Sequence, residues 1–240
     1  MEHVYRIAGM NVAVELLSPE VYDRFMDYTT EGEPDFTISV SPEDIEEEIE
    51  IFQRLDKWRE CTDPDRTRQT MEFAVVIRKL VEKTPFYQVF CFHGSTVAVD
   101  GEAYIFSALP GTGKSTHTAL WRDMLGERAV MVNDDKPMLR VTEDQTLACG
   151  SPWRGKHRIG GNLQVPVKAI CFLERSETNW IREISKKEAY PEIIRQIFRP
   201  EDPLAMMKVM ELVGKMNVRY YALGCNMDPE AARVAYQGMK

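Results

Sequence analysis

Residues 103–116 read AYIFSALPGTGKST, and this stretch decides the fold of the chain. The apolar run at 103–106 predicts a buried strand, and the run at 116–121 predicts the start of a helix. Between them lies a loop with two glycines that ends in Lys114 and Ser115. A strand, a glycine-containing loop with Gly-Lys-Ser and then a helix is the layout of a phosphate-binding P-loop. We name residues 108–115 the glycine loop.

The glycine loop suits phosphate for physical reasons. Glycines let backbone N–H groups turn toward one point, and the N-terminus of the following helix adds partial positive charge there. We expect Lys114 to reach the terminal phosphates and the Ser115 hydroxyl to ligate Mg²⁺. The predicted nucleotide-binding residues are Pro110, Gly111, Thr112, Gly113, Lys114, Ser115 and Thr116. The usual first glycine is replaced by Ala108. The alternative is an ordinary strand–turn–helix in which a serine caps the helix.

Composition narrows the class of protein. A chain of 240 residues, 44% hydrophobic and 28% charged, is typical of a globular protein with one domain, or one domain and a small lobe. No run approaches the roughly 20 apolar residues of a membrane helix, and the N-terminus lacks an apolar signal core. Five scattered cysteines favour reduced thiols, so we expect a cytoplasmic protein. The net charge of −8 argues against nucleic-acid and membrane-surface partners. Whether the chain forms a homo-oligomer stays open.

The chain divides near residue 85. Residues 1–85 predict a small α+β lobe, with strands at 4–7 and 11–16 and a helix at 66–83. Further helix starts are indicated by Ser18-Pro19 and Ser41-Pro42, and a loop by residues 63–65. We interpret the acidic run at 46–50 as a solvated helix face rather than as a docking surface for a basic peptide.

Residues 86–240 predict a P-loop catalytic domain of α/β class. Short apolar runs predict strands at 87–92, 96–99, 103–106, 129–132, 138–141, 147–149, 167–173 and 218–223. Helical spacing predicts helices at 186–198, 203–214 and 229–238. Asp100-Gly101 is a strong hairpin signal, so we expect a mixed sheet rather than an all-parallel one. Trp121 and the pair Met206-Met207 are predicted as core.

Several polar groups are candidates for chemistry. Asp134 and Asp135 follow an apolar strand, where two carboxylates are suited to hold Mg²⁺ and to deprotonate a nucleophile; the alternative is a plain polar turn. His93 ends another strand and is a candidate acid–base group; the alternative, commoner for a lone histidine, is a structural role. Arg154 and Lys156 lie in a loop suited to clamp a phosphate or a carboxylate, or else in an exposed basic loop.

Three elements together resemble a known family. They are His93-Gly94 before the hairpin, the glycine loop, and Asn133-Asp134-Asp135 after the next strand. Their order and spacing resemble the catalytic domain of HPr kinase/phosphorylase, which shares its P-loop on a mixed sheet with ATP-dependent phosphoenolpyruvate carboxykinase. The resemblance covers about residues 90–175 and is closest to small HPr-kinase-like proteins labelled carboxykinase-like.

The resemblance implies a fold, a cofactor and roles for residues. It implies a mixed-sheet P-loop core with a small α+β N-terminal lobe. His93 and the two aspartates would be the acid–base groups, and Asp134, Asp135 and Ser115 would bind Mg²⁺. Lys114 and the glycine loop would bind ATP. The chain departs from the family at Thr116, where the kinases have Glu, and it lacks their Arg-Gly-Leu-Gly loop.

The preferred hypothesis is an ATP- and Mg²⁺-dependent serine-kinase-like enzyme. It would transfer the γ-phosphate to a hydroxyl of a peptide or small protein, with Arg154 or Lys156 stabilising the transferred charge. One alternative is a non-catalytic nucleotide-binding regulatory module. Another is a small-molecule phosphotransferase with a carboxykinase-like pocket.

Overall fold

The computed structural model of the chain describes residues 3–54 and 64–240. These residues form twelve β-strands and seven α-helices, arranged as a three-stranded sheet and a nine-stranded sheet with helices packed on them. The fold is therefore α/β, as the sequence predicts. Cys61 lies outside the described residues.

The N-terminal sheet contains three strands. β1 (His3–Ile7) and β2 (Met10–Glu15) form an antiparallel hairpin, and β3 (Phe36–Ser39) lies parallel to β2. The first two strands were predicted. β3 was not, because it has four residues and buries only Ile38 fully, which leaves too little alternation to detect.

Three helices follow the first two strands along the chain: α1 (Pro19–Tyr22), α2 (Pro42–Arg54) and α3 (Pro64–Lys83). The helix starts at Ser18-Pro19 and Ser41-Pro42 are confirmed. The loop predicted at 63–65 is wrong for residues 64 and 65, since proline is readily accommodated at a helix N-terminus; Asp63 lies outside the described residues.

The acidic face of α2 is partly neutralised by α3. Arg78 Nε lies 2.8 Å from Glu48 Oε2, and Lys79 Nζ lies 2.5 Å from Asp44 Oδ2. Glu46 and Glu47 stay exposed while also pairing with cations of α3. Glu46, Glu47 and Glu50 are thus exposed, as the sequence analysis favoured, whereas Glu48 is buried and the prediction of a solvated face is wrong for it.

The large sheet is mixed, as predicted. Its strands are β4 (Val89–Cys91), β5 (Ser95–Val99), β6 (Glu102–Ser107), β7 (Ala129–Asn133), β8 (Met138–Val141), β9 (Thr146–Cys149), β10 (Gln164–Arg175), β11 (Trp180–Ile184) and β12 (Arg219–Cys225). β10 is parallel to β6 and β12, while every other pairing in this sheet is antiparallel. The β5–β6 turn has φ of 52° at Asp100 and 85° at Gly101, which explains the hairpin signal.

Four helices cover the two faces of this sheet: α4 (Lys114–Leu125), α5 (Lys186–Gln196), α6 (Pro203–Lys215) and α7 (Pro229–Met239). α4 and α7 share one apolar cluster with Phe106, and α5 and α6 share the opposite cluster with Ile105. Alternate residues of β6 thus serve opposite faces.

Two of the predicted core positions behave differently. Trp121 is fully buried, which confirms the prediction. Met206 packs partly against the core, but Met207 is 67% exposed, so the prediction for Met207 is wrong. Consecutive helix residues point about 100° apart, and the core takes only one of them.

One apolar cluster joins the N-terminal sheet and helices to residues after 85. It contains Phe25 and Phe73 from the N-terminal part together with Val89, Met138 and Trp153. Trp153 Nε1 also donates a hydrogen bond to the Phe73 carbonyl at 3.1 Å. The boundary at residue 85 stays a prediction, and a shared core crosses it.

The remaining cysteines and the helices carry two simple findings. Cys91, Cys149, Cys171 and Cys225 are buried and free. Over the described ranges, no helix is both long and apolar enough to cross a membrane.

Candidate functional site

The glycine loop connects the end of β6 to the first turn of α4. Gly111 has φ of 76° and Gly113 has φ of 116°, which is backbone that favours glycine. A Cβ at either position would meet no atom within 4 Å, so the space beside both is open. Gly113 is the residue at the N-cap of α4, and no side chain caps that end. Uncapped N–H groups facing open space can receive an anion. A serine cap is not what this loop forms.

Lys114 lies folded over the glycine loop. Its Nζ donates a hydrogen bond to the Ala108 carbonyl at 3.1 Å, and its side chain is half-buried. Burial lowers the pKa of Lys114, and the charges of Asp135 and Asp134 oppose that shift. The ammonium is therefore within electrostatic reach of both carboxylates. Ser115 and Thr116 are exposed at the start of α4, and Pro110 and Thr112 complete the loop.

Asp134 is buried at the end of β7 and is tied to α4. Its Oδ1 accepts a 2.6 Å hydrogen bond from Ser95 Oγ, which lies 2.8 Å from Thr118 Oγ1. Thr118 Oγ1 in turn lies 3.2 Å from the Ser115 carbonyl. This chain of hydroxyls links one carboxylate to the first turn of α4. No described residue donates a hydrogen bond to its second oxygen.

Asp135 faces the imidazole of His93. The His93 Nε2 atom lies 3.5 Å from Asp135 Oδ1, and Nδ1 lies 3.0 Å from the Gln196 amide oxygen. Because an amide oxygen only accepts, Nδ1 carries the hydrogen and Nε2 of the neutral ring is an acceptor. Burial lowers the pKa of His93 first, and the Lys114 charge lowers it further, while Asp135 raises it. The other oxygen of Asp135 pairs with Lys136.

The turn at residues 133–136 fixes both carboxylates. Asn133 Oδ1 accepts from the N–H groups of Asp135 at 2.9 Å and Lys136 at 2.7 Å. Its Nδ2 donates to the carbonyl and to the hydroxyl of Ser151, each at 3.1 Å. Gly155 lies so close that an added Cβ would be 3.0 Å from Asp135 Cβ. The β7 strand end and the 150–158 loop therefore hold the aspartates in place together.

The two basic candidates lie elsewhere in this arrangement. Arg154 forms a 2.6 Å ion pair with Asp27, and its guanidinium lies 5.3 Å from the Tyr28 ring centre. It thus binds the N-terminal part. Lys156 is exposed in the loop and forms no ion pair within the described ranges. Lys114, His93, Asp134 and Asp135 are brought together, whereas Arg154 is paired with Asp27 and Lys156 is exposed.

Three supporting residues were missed by sequence reasoning. Ser95 stands in the quoted His93-Gly94-Ser95 run but was given no role, and Thr118 shares a helix face with Lys114. Gln196 gave no signal because it is 103 positions from His93. Phe92 and Ile197, the neighbours of His93 and Gln196 in sequence, form an antiparallel bridge, and this pairing brings Gln196 to the ring.

Open volumes flank the site on two sides. A cavity of about 870 Å³ lies between α2, α3 and the aspartate turn, and Asp135, Lys136 and Arg154 line one end. We name it the interlobe cavity. A cleft of about 580 Å³ lies against the glycine loop and includes Leu120 and Met227. Asp135 thus lines the interlobe cavity and also faces His93.

The donor set matches Mg²⁺ in chemical type. A hard cation prefers carboxylate and hydroxyl oxygens, which Asp134 and exposed Ser115 supply. Among residues 3–54 and 64–240, no cluster of three or more His, Cys, Asp or Glu side chains forms a metal site of its own.

Comparison with known proteins gives a weak likeness in fold. No protein-family model matches the chain, and no curated protein matches its sequence. Its fold is similar to the structure of the Hpr(Ser) kinase/phosphatase from Coxiella burnetii, at a TM-score of 0.38 and 13% identity. The likeness covers 61% of this chain and 94% of that one. At this TM-score nothing about the site follows from it.

Proposed function

We propose that the chain is an ATP- and Mg²⁺-dependent phosphotransferase that moves the γ-phosphate to a hydroxyl group. The acceptor is a serine of a peptide or small protein, or a small molecule with a comparable hydroxyl. The observation that carries the proposal is the division between the two carboxylates. Asp134 is bonded through Ser95 toward the helix of the glycine loop, while Asp135 faces His93.

Each carboxylate has its own task. Asp134 and the Ser115 hydroxyl hold Mg²⁺, and the N–H groups of the glycine loop with Lys114 hold the phosphates. Bound Mg-ATP supplies the phosphoryl group and the positive charge that offsets it. Asp135 accepts the proton of the acceptor hydroxyl as the oxygen–phosphorus bond forms and the bond to the departing ADP oxygen breaks. His93, whose Nδ1 donates to Gln196, presents the acceptor Nε2 to Asp135 and can take on the proton that Asp135 has accepted.

The charges around Asp135 suit this role. Lys136 pairs with the second oxygen of Asp135 and keeps it oriented, and the Lys114 ammonium lies within electrostatic reach. Both cations also offset the negative charge that gathers on the transferring group. Asp135 lines the interlobe cavity, so an acceptor hydroxyl held there can reach this carboxylate.

The proposal is tested with γ-labelled ATP. Lys114→Ala should lower label transfer, or release to water, by at least about 100-fold because it removes the charge on the terminal phosphates. Lys208→Ala is the matched control, since that lysine is exposed on α6 and pairs only with Glu211. Undiminished transfer by the Lys114 variant would refute the proposal.

A further inference from the structure

The interlobe cavity has apolar walls and a charged edge. Its walls are apolar side chains of α2, α3 and the segments that face them, namely Phe52, Phe73, Ala74, Ile77, Trp153 and Phe198. Phe73 and Trp153 are stacked, with ring centres 5.0 Å apart. A volume of about 870 Å³ falls in the range of small-molecule sites, which are about 300–1,000 Å³. The cavity can therefore enclose an apolar group.

The edge of the cavity carries more cations than carboxylates in a chain of net charge −8. Six cationic side chains line it, namely Arg24, Arg78, Lys136, Arg154, Arg158 and Arg199, against four carboxylates, namely Asp23, Asp27, Glu48 and Asp135. Arg78, Lys136 and Arg154 are each paired with one of these carboxylates. Arg158 and Arg199 are exposed and form no ion pair within the part of the chain that is described, although Arg199 donates to the Ile194 carbonyl at 3.3 Å. Their remaining guanidinium N–H groups can bind an external anion, and guanidinium suits a carboxylate.

From this we infer that the interlobe cavity is the acceptor site and takes a hydroxyl compound that joins an apolar body to a carboxylate. The apolar body lies between α2 and α3, the carboxylate at Arg158 and Arg199, and the hydroxyl at Asp135. The inference rests on the proposed function. It names the acceptor chemistry that phosphate binding at the glycine loop leaves undefined. The same chemistry is offered by a small hydroxy acid and by a serine peptide with neighbouring aromatic and acidic residues.

Binding is tested first, with two dyes that differ in one charge. Anilinonaphthalene sulfonate carries an aromatic body and an anion, and phenylnaphthylamine has the same body without the sulfonate. The sulfonate dye should bind about tenfold more tightly, since a charge-assisted contact to arginine is worth that much. Combined Arg158→Ala and Arg199→Ala should abolish this difference in affinity. Arg233→Ala, at an exposed position of α7, should leave it unchanged.

The cavity itself is tested by filling it. Ala74→Trp should weaken binding of both dyes by about tenfold, because the indole takes their space. Equal affinity of the two dyes for the unaltered protein, or unchanged dye binding in Ala74→Trp, would overturn the inference. If Ala74→Trp fails to fold by circular dichroism, the double arginine variant decides alone.

The acceptor source is tested by transfer. Phenyllactate is compared with phenyllactamide, and the peptide Ac-Phe-Ser-Asp-amide with Ac-Phe-Ser-Asn-amide, as recipients of label from ATP. In whichever pair accepts label, the acidic compound should receive label about ten times faster than its neutral partner. Equal transfer within both pairs overturns the inference while leaving the phosphotransferase intact. Dye binding to the cavity without any Lys114-dependent transfer overturns the proposed function instead.

Discussion

The surroundings of the His93 imidazole lead to a specific prediction for the pH dependence of activity. Burial and the Lys114 charge hold its pKa below the ordinary value of 6.5. A lowered pKa keeps the ring neutral below pH 6.5, with Nε2 available to accept the proton from Asp135. Protonation would occupy Nε2 and remove this acceptor.

We therefore predict that the acidic limb of the kcat/KM profile lies below pH 6.5. His93→Gln should remove that limb and lower the rate by about 100-fold, the usual size of such contributions. His157→Gln, an exposed histidine of the 150–158 loop, should change neither. A limb at or above 6.5 that disappears with His93 would contradict the role given to burial and Lys114.

At the residue scale the sequence predicted the groups but not their supports. Lys114 and the aspartates follow from local motifs, because a motif is a run of neighbours. Gln196 comes to His93 only through pairing between distant segments, which no local pattern encodes. The role of Arg154 stays a prediction; its contact with Asp27 depends on how the N-terminal part packs.

Among the elements, the β7 strand end and the loop after β9 act together. An added Cβ at Gly150 would lie 1.7 Å from the Gly161 carbonyl oxygen, which is backbone and cannot rotate away. Gly214 in α6 has no atom within 4 Å of that position.

We predict opposite effects from one substitution at these two glycines. Gly150→Ala should lower the free energy of unfolding by about 2–4 kcal/mol, because the loop supporting Asn133 must shift. Gly214→Ala should raise it by about 0.5–1 kcal/mol through helix propensity. Urea unfolding measures both. Equal effects would show that the close packing at Gly150 is not what holds this loop.

The strands were predictable where they carry a mostly buried apolar run, as in β5 and β6. β11 was missed because four of its five residues are half-buried or exposed, leaving only Ile184 buried. β10 is longer than predicted because Pro166 and Lys168 interrupt its apolar run while its first residues pair with β9. In both cases, pairing with neighbouring strands determines the strand, and the hydrophobic pattern of its own sequence does not.

For the whole molecule, the shared apolar cluster predicts one cooperative unit. Trp153 is buried against Phe73 and Phe25, across the boundary expected at residue 85. The sequence predicts few strands before residue 85 and many after it, but this difference in strand content does not show whether the two parts share a core.

Trp153→Ala should therefore shift a single unfolding transition as a whole, by about 3–5 kcal/mol. Far-UV circular dichroism and intrinsic fluorescence should give the same midpoint. Leu204→Ala, at a 63% exposed position, is the control and should change the midpoint little. Two separate transitions, with only one moved by Trp153→Ala, would contradict the single unit.

The central claim is that Asp135 is the general base of a phosphotransfer site. The alternative is that the chain only binds a nucleotide and that Asp135 has no catalytic role. The claim is tested most directly by measuring nucleotide binding and γ-phosphate transfer in the same Asp135→Asn variant. We predict binding of fluorescent ATP within about threefold of the unaltered protein and a loss of transfer of about 100-fold or more. Asp123→Asn, exposed on α4, should lose neither. Full transfer by Asp135→Asn, or nucleotide binding by the unaltered protein without transfer to any hydroxyl or to water, would contradict the account.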